Sequence, residues 1–529
     1  MDFKLSKKLT AALTTIALAA SLLLHPAASL RAEAAAITVN VTNAAIAGTN
    51  VLVQTSTSAV PASDDGLYHL MAQEVYQTGA QGVEVASAPA TAGTSFAFPL
   101  NKNTPSSNLC KKFTVCVKQG GVLQPVSGSR YITNPEAGAG HTVGRSDGGK
   151  KGILPAAALI GKDNGLRDLG IKQCTYNVLL GSLCSGSGVP FNYNGKTYQF
   201  NAGIVSQYDY LVPVLNSQGI QLTFILLNNR VGDLTLIHPA ARGAGCNYYA
   251  YNTADAAGVE RLQAAAAFLA QRYSNTGHGK VDNWVIGNEV NARGMWHYLN
   301  TGDINVFTAE YVKAFRLFYN AIKGENGNAR VYTCIDQQWA RASSGAYFGG
   351  QAFLTTFNAQ IMAEGNIDWH LAAHPYNVPL TSPMAWANNK YITFDQSSPY
   401  ITMQNIAVLT DFMCQPGFKA PNGQVRSIIL SEVGYTSTGG EQFQAASIAY
   451  AYLQAAHNQH IDAFILAREL DDGGEIAQGL ANGVLNTARG QKMSYQFYKH
   501  IDGGNAGTYI AQTAAIMGVA DIKQVLTPR

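Results

Sequence analysis

The stretch Val281-Asp-Asn-Trp-Val-Ile-Gly-Asn-Glu-Val-Asn291 decides the fold predicted for this chain of 529 residues. Residues 281–286 are a short, largely apolar run with β-branched and aromatic side chains, which predicts a strand. The polar residues Asn288 and Glu289 follow at once, and a buried core does not hold such groups without partners. Strands of a parallel sheet are covered on both faces and read as continuous apolar runs. The stretch therefore predicts a buried parallel strand that presents its polar residues at its C-terminal end.

Similar apolar runs alternate with helical patterns through the rest of the chain. We predict eight such strands, at residues 170–177, 220–227, 247–251, 281–286, 330–335, 367–373, 426–430 and 461–466. Repeated βα units of this number fit an α/β fold of the (β/α)8 TIM-barrel type, whose active site lies at the C-terminal ends of the strands. A doubly wound open sheet is the alternative. It is disfavoured because no Gly-x-Gly-x-x-Gly follows the first strand and no phosphate loop occurs.

The composition changes along the chain in a way that predicts separate domains. Residues 37–134 contain short strand-like runs broken by Gly, Pro, Ser and Asn, which predicts a small all-β, sandwich-like domain. This domain either binds carbohydrate or serves only for packing. Residues 135–152 are rich in glycine and lack apolar periodicity, so they are predicted to be a linker. The barrel is then expected over residues 153–505, followed by a C-terminal tail at residues 506–529.

Residues 1–36 predict export from the cell. Lys4, Lys7 and Lys8 precede an apolar run, and Ala32-Glu33-Ala34 is a plausible cleavage site, as in a secretory signal peptide. A membrane anchor is the competing interpretation, but threonines and a histidine interrupt the run. We expect a secreted or cell-surface protein with no membrane association after cleavage. The net charge of +3 gives no electrostatic indication of nucleic-acid binding.

The seven cysteines give no metal-binding or redox motif, because no Cys-x-x-Cys occurs. Their odd number leaves at least one thiol unpaired. In an oxidising compartment Cys110 could pair with Cys116, or Cys174 with Cys184, whereas Cys334 and Cys414 lie in apolar runs that suit buried thiols.

A second glutamate is presented in the same manner as the first. Residues 428–430 are apolar, and Ser431-Glu432-Val-Gly-Tyr435 follows them directly. The ends of strands four and seven face one another across the mouth of a barrel, so Glu289 and Glu432 are predicted to meet. Either glutamate alone suits a structural salt bridge equally well. Two facing carboxylates suit hydrolysis of a glycosidic bond, in which one protonates the departing oxygen and the other attacks the sugar.

These motifs resemble clan A of the retaining glycoside hydrolases, which are (β/α)8 barrels. The resemblance implies that Asn288 binds the sugar 2-hydroxyl, Glu289 is the general acid/base and Glu432 is the nucleophile. It also implies that the His374-Pro375-Tyr376 sequence after strand six places its tyrosine beside the nucleophile. A general likeness to secreted bacterial proteins described only as a domain of unknown function rests on Tyr131-Ile-Thr-Asn-Pro135 and on an Asn194-Gly195 hairpin.

The sequence departs from that clan at strand eight, where many members have a tryptophan that forms the floor of the sugar subsite. This chain has Ala467-Arg468-Glu469 there, so the substrate cannot be inferred from the clan. Aromatic residues after other strands are candidates for stacking on sugar, although each suits a core position equally well. Polar residues after strand two are candidates for binding hydroxyl groups or orienting Glu432. The candidate substrate-binding residues are Asn288, His374, Tyr376, Trp339, Trp296, Asn228, Arg230 and Tyr435, with Trp386 as a further stacking candidate.

Three functions remain open at this point. The first is a secreted retaining glycosidase that acts on an oligo- or polysaccharide without metal or cofactor. The second is a barrel that binds glycans without cutting them. The third, which is disfavoured, is a metal-dependent hydrolase that uses Asp368, His370 and His374, since barrel metal sites usually draw ligands from several strands. The aromatic hairpin at residues 189–200 either forms a wall of the cleft or only packs on its neighbours.

Overall fold

The computed structural model describes residues 38–146 and 148–527. The predicted signal peptide lies outside these residues. No helix in the described ranges has the length and hydropathy needed to span a bilayer.

The N-terminal β-rich region consists of two antiparallel sheets. Strands β1, β2 and β5 form the first sheet, and strands β4, β3, β6 and β7 form the second, with β8 paired to β6. Alternate residues of β2 and β5 are buried, as expected for strands with one face on a core. The eight strands are Asn40–Ala47, Asn50–Ser56, Leu67–Gln73, Val83–Pro89, Ser95–Pro99, Lys112–Gln119, Val122–Pro125 and Arg130–Tyr131.

The barrel is a closed ring of eight parallel strands, which confirms the predicted fold class. In chain order its strands are β9 (Lys151–Ile153), β10 (Gln173–Leu179), β13 (Gln221–Leu227), β14 (Asn283–Ile286), β15 (Arg330–Ile335), β16 (Trp369–Ala373), β17 (Ile428–Val433) and β18 (Ile461–Leu466). Strands β11 (Gly188–Tyr193) and β12 (Lys196–Asn201) form a separate hairpin.

Helices cover the outside of the ring between the strands. They are α1 (Gly165–Asp168), α2 (Leu180–Cys184), α3 (Ala202–Asn216), α4 (Ala256–Arg272), α5 (Ile304–Glu325), α6 (Gly350–Ala363), α7 (Ile406–Met413), α8 (Glu441–Ala456), α9 (Gly473–Ile476), α10 (Met493–His500) and α11 (Ala506–Met517). The last of these, α11, lies in the segment predicted to be a tail, and Thr527 donates its backbone N–H to the side chain of Gln454 on α8. The end of the chain is therefore part of the barrel's outer layer.

The predicted set of barrel strands needs two corrections, one strand that was missed and one that is absent. The first barrel strand is β9, which begins inside the predicted linker, and it closes the ring by pairing with both β10 and β18. A strand of three residues offers no periodicity to detect. A Cβ at Gly152 would lie 2.8 Å from the carbonyl oxygen of Gln173, so only glycine allows this close approach. The predicted strand at residues 247–251 is not a strand, because Tyr249 and Tyr251 form only isolated bridges.

The β-rich region packs directly on α5. Asn320 donates a hydrogen bond to the carbonyl of Leu109, and Arg316 stacks over the ring of Tyr131 at 5.3 Å. Both helix residues are fully buried. The described residues on both sides of this contact form one compact unit.

The hairpin β11–β12 packs on its neighbours. The ring of Phe200 stacks on that of Phe268 in α4 with 4.1 Å between centroids, and a Cβ at Gly195 would lie 2.6 Å from Pro105. The hairpin thus joins α4 to the β-rich region. This matches the alternative in which it packs on its neighbours. All seven cysteines are free thiols.

Strand β17, which carries Glu432, is anchored at its start by Arg426. This guanidinium is 1% exposed, stacks on Trp369 at 4.3 Å and donates five hydrogen bonds. Its acceptors are Phe418 O, Ile367 O, Trp369 O, Lys419 O and Asn366 Oδ1. Burial lowers the pKa of Arg426 to about 10, so the group stays charged at neutral pH.

We expect Arg426→Lys to reduce the free energy of unfolding by about 3 kcal/mol, because an ammonium group cannot satisfy five acceptors placed around a planar fork. Denaturant unfolding followed by far-UV circular dichroism measures this. Arg167→Lys, at an exposed position on α1, is the matched control and should leave the midpoint unchanged. Equal midpoints for the two variants would contradict the anchoring role.

Candidate active site

Glu289 lies immediately after β14, where the chain turns sharply. Gly287 has a φ of +81° and Glu289 itself has a φ of +38°. A non-glycine residue in this left-handed region costs about 1–3 kcal/mol, and such residues concentrate at functional sites. The Glu289 side chain is 13% exposed. The turn therefore holds a carboxylate at the mouth of the barrel with one side open.

Glu432 lies near the end of β17. The register between β17 and β18 shifts between Leu430 and Val433, an irregularity that re-aims side chains at the end of a strand. The Glu432 side chain is 22% exposed. Both predicted carboxylates thus reach the same face of the barrel.

His374 joins the two carboxylates. Its Nδ1 atom lies 2.8 Å from Glu289 Oε1 and 3.7 Å from Glu432 Oε2. The two oxygens are therefore at most 6.5 Å apart, the sum of those distances. This bound excludes an arrangement in which the two oxygens lie on distant parts of the mouth. It is compatible with the carboxyl separation of about 5–5.5 Å that retaining glycosidases use.

The His374 ring is fully buried and surrounded by hydrogen-bond partners. Its Nε2 atom lies 2.9 Å from Ser431 Oγ and 3.4 Å from Cys334 Sγ. Burial alone would lower the pKa of His374. The contacts with Cys334, Glu432 and Glu289 outweigh burial and hold this pKa well above its ordinary value of 6.5. We therefore describe His374 as an imidazolium that donates through both nitrogens.

Tyr376 fixes the second carboxylate. Its hydroxyl donates a hydrogen bond of 3.2 Å to Glu432 Oε2. Burial, and then the negative charges of Glu432 and Glu289, raise the pKa of Tyr376 well above 10.0, so the phenol keeps its proton. His374 thus contacts Glu289, and Tyr376 contacts Glu432.

Asp336, which directly follows β15, is a site residue that the sequence reasoning missed. It is buried and accepts hydrogen bonds from the side chains of Asn291 and Gln338. Burial and then the charge of Glu289 raise the pKa of Asp336 to about 7. Asp336 could have been predicted from the sequence, because it is an acidic residue directly after an apolar strand. The same pattern identified Glu289.

Several of the predicted substrate-binding residues lie near the carboxylates. Asn288 adjoins Glu289 and is 8% exposed. Trp296 is half-buried and contacts the ring of Tyr248 at 5.7 Å. Burial and then the negative charge of Glu432 raise the pKa of Tyr248. Tyr248 was not among the predicted residues.

Other predicted residues lie elsewhere. Trp339 is fully buried and packs edge-on against Phe412, with 5.0 Å between ring centroids. Tyr435 is also fully buried. Neither ring can stack on a substrate, so the prediction for these two residues is corrected. Trp386 is half-buried and packs against Phe443.

The two polar residues predicted after the second strand have different surroundings. Asn228 is 2% exposed and donates to the carbonyls of Leu236 and Ala250, so it holds the following loop in place. Its Oδ1 atom is buried without a protein partner. Arg230 is exposed and donates to Arg242 O, which makes it part of the same loop.

Strand β18 is followed by the charged residue Arg468 and not by an aromatic residue that could form the floor of a sugar subsite. Arg468 contacts Glu475 at 2.5 Å and Asp472 at 3.6 Å. It borders a cavity of about 420 Å³ that Tyr176, Asn177 and Tyr248 also line. Because the acids neutralise Arg468, this cavity is polar without a net positive charge.

The residues of the metal-dependent alternative do not converge. His370 and His374 lie four residues apart on and beyond β16, or about 13 Å along a strand. The Nδ1 atom of His370 accepts a hydrogen bond from Ser427 N, and its Nε2 atom lies 3.7 Å from Asp368. Within the ranges that the structure describes, no group of three or more His, Cys, Asp or Glu residues is arranged to hold a metal ion.

A family model described as "Family of unknown function (DUF5722)" matches residues 144–525, which confirms the predicted relation to a family without known function. No curated protein matches the sequence. Solved structures with detectable similarity include a family 39 glycoside hydrolase from the gut symbiont Bacteroides cellulosilyticus WH2, at 14% identity over 84% of this chain and 79% of that chain, with a TM-score of 0.45.

Two others are glycosidases named for the sugar that they release. A hyperthermophilic β-glucosidase from Pyrococcus furiosus is 14% identical over 70% of this chain and 88% of its own, with a TM-score of 0.45. A β-glucuronidase from Bifidobacterium dentium is 14% identical over 88% of this chain and 65% of its own, with a TM-score of 0.39. The barrel itself is observed in the ring of paired strands, independently of these similarities.

The raised pKa of His374 predicts a pH-dependent stability. Above pH 6.5 the unfolded chain releases the proton that the folded protein retains. The stabilisation is therefore fully present below pH 6.5 and is lost as the pH rises through the folded pKa. We expect urea midpoints of the wild type to fall with rising pH more steeply than those of His374→Asn. His457→Asn, at an exposed histidine, should behave as the wild type. Parallel curves for the wild type and His374→Asn would contradict a charged His374.

Proposed function

The chain belongs to the DUF5722 family, and we propose that it is a secreted retaining glycoside hydrolase that cuts O-glycosidic bonds in an oligo- or polysaccharide. The observation that carries this proposal is the pair of carboxylates, Glu289 and Glu432, which share His374 at the C-terminal mouth of a parallel barrel. Signal-peptide character at residues 1–36 supports export, and the predicted partner is carbohydrate.

The proposed reaction has two steps. In the first, which requires the protonated form of Glu289, Glu432 attacks the anomeric carbon while Glu289 transfers that proton to the departing oxygen, so the glycosidic C–O bond breaks and a glycosyl ester of Glu432 forms. In the second, Glu289 takes a proton from water, and the resulting hydroxide equivalent displaces Glu432 from the sugar. Two inversions give net retention of configuration. The steps use no metal or cofactor.

The surrounding residues support these roles. Tyr376 donates to the oxygen of Glu432 that lies nearer His374, which leaves the other oxygen available for attack. His374 holds Glu289 through Nδ1 and is itself held by Ser431 through Nε2. The partial exposure of both carboxylates gives a substrate access.

We expect Glu432→Ala and Glu289→Ala each to lower kcat/KM on an aryl glycoside or polysaccharide by about 10³-fold or more, because each removes a group required in the transition state. Glu260→Gln, at an exposed carboxylate that pairs with Lys196, is the matched control and should retain wild-type activity. Proton NMR of the first product measures its anomeric configuration.

Retention of configuration, with activity lost in both alanine variants, supports the proposal. A first product of inverted configuration, or full activity in Glu432→Ala, would contradict it. Binding to glycans without any product over a panel of polysaccharides would identify a binding protein instead.

A further inference from the structure

Four aromatic side chains lie on the loops that follow β15 and β16, and we call them the aromatic track: Tyr347, Tyr391, Phe394 and Tyr400. Phe394 is 70% exposed and Tyr391 is 36% exposed, while Tyr347 and Tyr400 are half-buried. An exposed phenylalanine between exposed polar residues contributes nothing to the core. Exposed aromatic groups collected on one face of a protein commonly mark a binding surface.

The inner end of the track adjoins Glu289. Phe348 donates its backbone N–H to the carbonyl of Asn291, two residues beyond Glu289, so the loop that carries Tyr347 is attached to the segment that carries the acid. Burial and then the charges of Asp336 and Glu289 raise the pKa of Tyr347, which agrees with this proximity. Tyr400 is held by backbone pairing with Gln338, two residues beyond Asp336.

The outer end continues from Tyr400. The rings of Tyr400 and Tyr391 contact edge to face, with 6.3 Å between centroids. A cavity of about 370 Å³ extends from Tyr391 to Asn377, which directly follows the Tyr376 that contacts Glu432. The loops that carry the track therefore adjoin, at Phe348 and at Asn377, the segments that carry Glu289 and Tyr376.

Hydrogen bonds hold the backbone of the loop that carries Phe394. Asn405, which is 1% exposed, donates its side-chain amide to Thr393 O, Ser398 Oγ and Tyr400 O. These bonds tie both sides of the loop that carries Phe394 to the start of α7. Cationic groups lie over two of the rings, Arg341 over Tyr400 at 5.9 Å and Lys390 over Tyr391 at 5.2 Å. A loop whose backbone is held before binding loses little conformational entropy when a ligand stacks on its rings.

We propose that the aromatic track binds the sugar units on the leaving-group side of the cut bond, so that the substrate is a polymer or long oligosaccharide. This inference rests on the proposed function, because it takes Glu289 as the proton donor. The departing oxygen then lies on the Glu289 side, and the chain attached to it extends along the track. Aromatic rings stack on the apolar faces of sugar rings, and Arg341 and Lys390 supply donors for hydroxyl groups.

The kinetic test compares Tyr391→Ala/Phe394→Ala with Tyr210→Ala, a matched control at a 51% exposed tyrosine on α3. The loss of two stacking rings should raise KM for the polysaccharide about tenfold, with kcat little changed. KM for an aryl glycoside, whose leaving group is too short to reach Phe394, should change by less than about twofold. Equal effects on both substrates, or no effect on either, would overturn the proposal. Unchanged thermal midpoints confirm that the variants are folded.

A second test does not depend on hydrolysis. Affinity gel electrophoresis of Glu432→Ala through hydroxyethylcellulose, xylan, galactomannan and arabinan should show retardation by at least one polymer. When the Tyr391→Ala and Phe394→Ala substitutions are introduced into the Glu432→Ala protein, that retardation should be abolished. When Tyr210→Ala is introduced instead, the retardation should persist. Retardation by none of the four polymers, or retardation unchanged by the track substitutions, would overturn the track. The wild type could also cut no glycoside while the track substitutions abolish retardation as expected. That outcome would support the track and count against the proposed reaction.

Discussion

The contact between His374 and the two carboxylates is the interaction on which the geometry of the site depends. When both are ionised, two carboxylates whose oxygens lie within 6.5 Å of each other repel by at least about 2.5 kcal/mol at the effective dielectric constant suited to protein sites. An imidazolium at the observed distances attracts each of them by about 5 kcal/mol on the same scale. The attraction exceeds the repulsion, so a charged His374 can hold the pair together. A neutral histidine could not, and burial alone would make it neutral.

The barrel positions this network because strands β14, β16 and β17 end at the same face. Glu289, His374 and Glu432 are far apart in sequence, and the parallel register aligns their strand ends. The sequence predicted this correctly from apolar runs that end in polar residues. The strand numbers four and seven were also correct. This agreement depended on two compensating errors: β9 was missed, and residues 247–251 were counted as a strand.

Those errors have a physical cause. Strand β9 has three residues, and its identity comes from closure of the ring around Gly152, a contact that no local pattern encodes. The aromatic run at Tyr248 to Tyr251 has strand-like composition, but Tyr248 lines the cavity beside Arg468 and Tyr251 packs on Phe318 of α5. The site predictions failed in a similar way. Whether Trp339 faces a cleft or Phe412 depends on a helix more than seventy residues later, and a sequence pattern does not report which way a ring points.

The central claim is that Glu432 forms a covalent bond with the sugar. Its most direct test is incubation with a panel of activated 2-deoxy-2-fluoro glycosides, which slow the second step more than the first, followed by intact-mass measurement and peptide mapping. The account predicts a mass increase of one fluorosugar, carried by the peptide that contains Glu432 and absent from Glu432→Ala. Labelling of a different residue, or turnover of these glycosides with release of an inverted sugar and no adduct, would contradict it.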